Sequence, residues 1–177
     1  ADTLDGVDGV VFPSRPAVRS VVEALRGEAT QRLTGKRLLA VGPATARELT
    51  HHGLVADEAP ATFGGVHDLA ASLSREFAGT YLYPCSDRAP REKRLQQMQE
   101  QGITLVPRVF YHNEPVNPGA LPDEPFARVL FTSASTVEAY FEHYPAEQEA
   151  IRNWVALGEP TSKALRARGL TPERLPG

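Results

Sequence analysis

Four short stretches place hydroxyls and backbone N–H groups where they could hold an anion. They are Ser14 with Arg15, Gly42 through Ala44 to Thr45, Ser133 through Ala134 to Ser135, and Gly158 to Thr161 with Lys163 just beyond. Each follows a short apolar run and precedes a stretch of helical periodicity, so each is expected at a helix N-terminus. There the first N–H groups lack intrahelical partners and the helix dipole is positive, a combination that favours carboxylate or phosphate groups. The same Ser and Thr residues also cap helices with no ligand at all, and that plainer reading stands beside the first. Arg15, Arg88, Arg91 and Lys163 are candidates for charge-assisted bonds to an anion, or are solvated surface charge.

Other chemistries find little support in the sequence. Cys85 is the single cysteine; it has no evident partner base and reads as a small residue at a strand end rather than a nucleophile. One cysteine also leaves no internal disulfide framework, which fits a reducing cytoplasm. His51 and His52 are adjacent, and neighbours on a helix diverge by about 100°, so they do not make a metal pair and no metal is expected. Gly42-Pro-Ala-Thr45 is not the Gly-x-Gly-x-x-Gly of a dinucleotide site, and no phosphate-binding Gly-x-x-x-x-Gly-Lys-Ser/Thr run occurs.

The elements that must position these residues are revealed by an internal repeat. Asp8-Gly-Val-Val-Phe-Pro-Ser14 reads like Ala127-Arg-Val-Leu-Phe-Thr-Ser133. Leu39-Ala-Val-Gly42-Pro-Ala-Thr45 then reads like Val155-Ala-Leu-Gly158-Glu-Pro-Thr161. Each copy closes alike, with His52-Gly53-Leu54 before Pro60 and Arg168-Gly169-Leu170 before Pro176. The offsets are nearly constant, so the chain is built from two related halves.

Each half reads as strand then helix. Val10 to Phe12 and Val129 to Phe131 suit strands buried on both faces. Helices follow through Val18, Val21 and Leu25, and through Val137, Tyr140 and Phe141. Leu38 to Val41 is a strand, Ala46 and Leu49 mark a helix, and Gly53 sits where a left-handed residue ends it. A helix through Val66, Leu69, Ala70 and Leu73, a strand at Tyr81 to Tyr83, a helix through Leu95 and Met98, and a strand from Ile103 to Tyr111 complete the first half. Alternating strands and helices predict an α/β fold with parallel sheets and helices on both faces. The stretch from His112 to Pro125 holds four prolines and reads as an extended connector. The expected organisation is therefore a continuous α/β domain over 1–111 with about five strands, a linker over 112–125, and part of a second domain over 126–177 with two. The second half is expected to lack at least one strand–helix–strand unit.

Composition bounds the rest. The chain has 177 residues, 41% hydrophobic and 23% charged, as an ordinary globular protein does. A net charge of −3 and a pI near 6.0 argue against a nucleic-acid partner. No apolar run approaches the ~20 residues of a membrane span. The opening Ala1-Asp2-Thr3-Leu4-Asp5 has neither the positive nor the apolar region of a signal peptide.

The ordered set Val41-Gly-Pro-Ala-Thr-Ala-Arg47, Tyr83-Pro-Cys85, Val109-Phe-Tyr111, Phe131-Thr-Ser133 and Leu157-Gly-Glu-Pro-Thr161 resembles the uroporphyrinogen-III synthase family along essentially the whole chain. The resemblance implies two flavodoxin-like domains joined by a two-segment linker, with the substrate in the cleft between them. It implies a monomeric, cytoplasmic lyase that needs no cofactor and acts on the linear tetrapyrrole hydroxymethylbilane. That substrate carries eight carboxylates, to be held by the four turns named above. It makes Tyr111 the candidate proton donor to the departing hydroxyl, since a phenol keeps its proton at neutral pH; a tyrosine packing at the linker is the plainer alternative. Asn113 stands where many members carry Thr. The family's N-terminal strand–helix–strand segment and a helix after Pro176 have no counterpart in residues 1–177. Two other functions fit the residues: a non-catalytic, two-lobed tetrapyrrole or anion binder, and one domain of a fused tetrapyrrole-biosynthesis protein.

Overall fold

The computed structural model describes residues 4–61, 66–89, 92–114, 116, 119–121, 126–144 and 153–175. The chain falls into two compact units, Ala1–Asn113 and Glu114–Gly177. Arg91, connector positions 115, 117, 118 and 122–125, and Pro176 lie outside the described residues.

The first unit runs β1 (Gly9–Phe12), α1 (Arg15–Ala24), α2 (Ala29–Leu33), β2 (Arg37–Ala40), α3 (Pro43–His51), α4 (Val66–Ser72), β3 (Gly79–Ser86), α5 (Glu92–Gln99) and β4 (Ile103–Tyr111). Its strands form one sheet in the order β2-β1-β3-β4, every pair parallel. Side chains alternate across this sheet. Val10, Phe12, Leu38 and Leu82 pack on one face with Ala17, Val18 and Val21 of α1 and Leu49 of α3. Val11, Leu39, Tyr81 and Tyr83 pack on the other with Leu69 of α4 and Met98 of α5. Both faces are thus covered, as a parallel sheet requires. Gly53 is left-handed at φ +72°, which closes α3 as expected.

The first half was expected to hold about five strands; among the described residues it holds four. The segment after α3 returns alongside β2, where Asp57 N–H donates to the Leu38 carbonyl at 2.8 Å and Ala40 N–H to the Glu58 carbonyl at 2.9 Å. It makes one bridge, Leu39 to Glu58, and Pro60 follows with no N–H to extend a ladder. The short helix α2 was not foreseen.

The second unit runs β5 (Val129–Phe131), α6 (Ala134–His143), β6 (Trp154–Leu157), α7 (Glu159–Arg166) and β7 (Glu173–Leu175). Its sheet, ordered β5-β6-β7, is again parallel. Here the expectation of two strands falls short by one. Glu-Arg-Leu shows no apolar run, and β7 is defined by its pairing with β6 from Val155↔Glu173 to Leu157↔Leu175. The core is one cluster in which Phe131, Phe141 and Trp154 pack with Val137 and Leu165. Phe131 stacks on Trp154 at 5.9 Å between centroids and meets Tyr140 edge to face at 5.4 Å, both favoured ring geometries. Among the described residues, no helix is long and apolar enough to cross a membrane.

Candidate functional site

In the first unit all four strands point their carboxyl ends to one edge, the edge at which open parallel sheets bind ligands. Ser14 follows β1 and is the N-cap of α1, its Oγ accepting from Ala17 N–H at 3.4 Å. Pro16 in the first turn removes an N–H that would lack a partner anyway. Tyr111 ends β4, and its Oη lies 3.1 Å from Ser14 Oγ. The Tyr111 ring is half-buried against the first core cluster, so the phenol tip is placed by packing below and by Ser14 at the end. These two residues are 97 positions apart in sequence.

Asp87, which sequence reasoning passed over, fastens the same strand end. Its N–H donates to the Tyr111 carbonyl at 3.3 Å, and its Oδ1 accepts from Asn113 N–H at 3.1 Å. His112 Nδ1 stands 3.4 Å from its other carboxylate oxygen. The Asn113 N–H bond is the main cause holding the Asp87 carboxyl below the usual carboxylate range, with His112 helping and partial burial opposing. An Asp just past a strand end commonly bonds backbone N–H groups, and that was the available signal.

The remaining candidates of this unit lie at the same edge. Gly42 is the N-cap of α3, with Pro43 in the first turn. It lies at φ +154°, and Thr45 beyond it is buried while Ala44 is half-buried. Arg15 and Arg88 are exposed. Cys85 is buried, its thiol donating to the Arg108 carbonyl at 3.4 Å, which suits a packing role. Tyr83, also buried, receives a bond from Arg94 at 3.3 Å; burial raises its phenol above the ordinary value and Arg94 opposes this.

The second unit repeats the pattern at the ends of β5 and β6. Ser133 caps α6 in a capping box, accepting from Thr136 N–H at 3.2 Å while its own N–H donates to Thr136 Oγ1 at 3.2 Å. Its Oγ also lies 3.0 Å from Ser135 Oγ, and Ala134 opens the helix. Gly158, at φ +88°, is the N-cap of α7. Thr161 is buried and its hydroxyl donates back to the Leu157 carbonyl at 3.1 Å, while Lys163 is exposed. The structure therefore brings together Ser14 with Tyr111 and Ser133 with Ser135. Arg15 and Ala134 open the helices that these serines cap, Gly42 to Thr45 and Gly158 to Thr161 stand separately at the starts of α3 and α7, Lys163 lies in the last turn of α7, and Arg88 follows β3 outside any helix. Among the described residues, no group of three or more His, Cys, Asp or Glu side chains could hold a metal.

The family model described as uroporphyrinogen-III synthase HemD matches residues 1–176. No curated protein matches the chain. The solved structure of uroporphyrinogen-III synthetase from Helicobacter pylori is 20% identical with a TM-score of 0.71, covering 96% of this chain and 76% of its own. A mutant uroporphyrinogen III synthase from the extremely thermophilic bacterium Thermus thermophilus is 24% identical with a TM-score of 0.63, covering 97% and 73%. The wild-type structure from the same organism, at 22% identity and a TM-score of 0.56, covers 97% and 72%. At these identities the structural likenesses establish the α/β fold.

Proposed function

The chain belongs to the uroporphyrinogen-III synthase family, and on that premise we propose that it cyclises hydroxymethylbilane with inversion of the terminal ring. It would do so as a monomer in the cytoplasm, with a linear tetrapyrrole as its only partner and with no cofactor. The observation that carries this reading is the phenol of Tyr111, held at the carboxyl edge of a parallel sheet beside the N-terminus of α1. The pyrrole nitrogen lone pair expels the hydroxymethyl oxygen, the C–O bond pair stays on oxygen, and Tyr111 supplies the proton that makes it water. The substrate is left as an azafulvenium cation and Tyr111 as a phenolate. Attack through a spiro intermediate inverts the last ring, and the proton released on closure returns to the phenolate. Positioning and charge stabilisation are what such a reaction asks of a protein.

Carboxylates of the substrate are assigned to the helix N-termini of each unit, Ser14 and Arg15, Gly42 to Thr45, Ser133 to Ser135, and Gly158 to Thr161, with Lys163 in the last turn of α7 as a further cation. N-terminal N–H groups and dipoles bind anions without a large net positive charge, which suits a chain of net charge −3. The test is a coupled assay in which hydroxymethylbilane is generated in place, the protein added, and the oxidised porphyrin isomers separated. Type III above the protein-free control is expected, with Tyr111→Phe lowering its rate about 100-fold. Type I alone, the product of spontaneous closure, overturns the reading in favour of a binding homologue.

A further inference from the structure

The hydroxyl of Ser14 is already engaged on both sides. Its oxygen accepts from Ala17 N–H at 3.4 Å and faces Tyr111 Oη at 3.1 Å. A serine hydroxyl has one proton and two lone pairs. With one lone pair facing the positive end of α1, its oxygen is a poorer acceptor and its proton a better donor. Either hydroxyl of the pair can donate while both keep their protons; once Tyr111 has given up its proton its oxygen can only accept, and Ser14 O–H is then the donor.

We propose that Ser14 is a positioning residue for Tyr111, holding the phenol at the sheet edge and stabilising the phenolate left by its proton transfer, so that within the Ser14–Arg15 turn the substrate carboxylate falls to Arg15 and the helix N–H groups rather than to the serine hydroxyl. The proton balance is that of the step above: Tyr111 gives one proton to the leaving hydroxyl and recovers one on ring closure, while Ser14 keeps its own proton throughout. The repeated serine of the second unit cannot play this part, because Ser133 Oγ is turned onto Ser135 and Thr136 of its own helix. The inference rests on Tyr111 as proton donor.

The test is a set of variants in the type III assay. Ser14→Ala is expected to lower kcat about tenfold with KM changed less than about twofold, because the loss falls on the transition state rather than on binding. Ser14→Thr keeps both cap and hydroxyl and is expected within about threefold of the parent. Ser14→Asp caps a helix as well as Ser does but brings no proton to donate, so it is expected to stay folded and lose kcat at least as far as Ser14→Ala. In a Tyr111→Phe background, Ser14→Ala is expected to cost nothing further, since the two act as one unit. A rise in KM with kcat unchanged, rescue by Asp, or the same loss in both backgrounds overturns the positioning role and leaves Tyr111 as donor. Full activity of Tyr111→Phe overturns the donor reading, and the role of Ser14 falls with it.

Discussion

Ser14 and Ser133 occupy matching places in a repeated motif, yet their hydroxyls serve different ends. Both follow a Phe-x-Ser strand end and both cap the next helix. Ser133 closes on itself, through Thr136 and Ser135. Ser14 instead reaches the end of β4 and holds a phenol. The cause is the strand set around each serine. In the first unit β3 separates β1 from β4, and a long strand delivers Tyr111 to the edge. In the second unit the described sheet has β5, β6 and β7 only, and the described helices α6 and α7 cover one face. Leu130 and Leu157, on its other face, are 52% and 45% exposed. A shared local motif thus yields a cap in one unit and a hydroxyl paired with a phenol in the other, because among the described residues the first unit alone supplies the partner.

The largest expected effect tests whether the second unit depends on its single aromatic cluster. Phe131→Ala should cost about 3–5 kcal/mol. Trp154 is the chain's one tryptophan and packs in that cluster, so its fluorescence should report a lower denaturant midpoint. An unchanged midpoint would mean that the stacked rings do not hold this unit together. Next in size is the cap itself. Ser133→Ala should cost about 1 kcal/mol of stability, seen in chemical denaturation, and any kinetic change should appear in KM. A loss of kcat equal to that of Ser14→Ala would break the contrast between the two serines.

The smallest effect concerns the strap on β4. Because Asp87 titrates below the ordinary carboxylate range when folded, its stabilising contribution is present above about pH 4 and disappears as the pH falls through the folded value. Asp87→Asn should therefore lower the melting temperature at pH 7 and converge with the parent as the pH falls below the depressed folded value. A difference that persisted or grew in acid would show that the carboxylate charge is not what fastens Asn113.

Much of the framework was legible because apolar periodicity is local. Ile103 to Tyr111 was read as a strand and is β4; Ser14 was read as a helix start and caps α1. The misses have a common cause. Glu173–Leu175 became a strand by pairing with β6, and the count of about five strands in the first half, for which no fifth segment was named, came down to four among the described residues. Neither fact is written in the side chains concerned. Asp87 was overlooked because its partners, Asn113 N–H and the Tyr111 carbonyl, are backbone groups far along the chain.

The sequence alone determined the α/β alternation, the two-fold repeat, the family resemblance and the hydroxyls at the helix starts. These follow from residue type and short-range spacing, which act over a few residues. Only the tertiary structure decided which of those hydroxyls meets a phenol. Ser14 and Tyr111 are joined by the order in which β1, β3 and β4 lie side by side, and strand order is set by the burial of two whole sheet faces rather than by any segment read on its own.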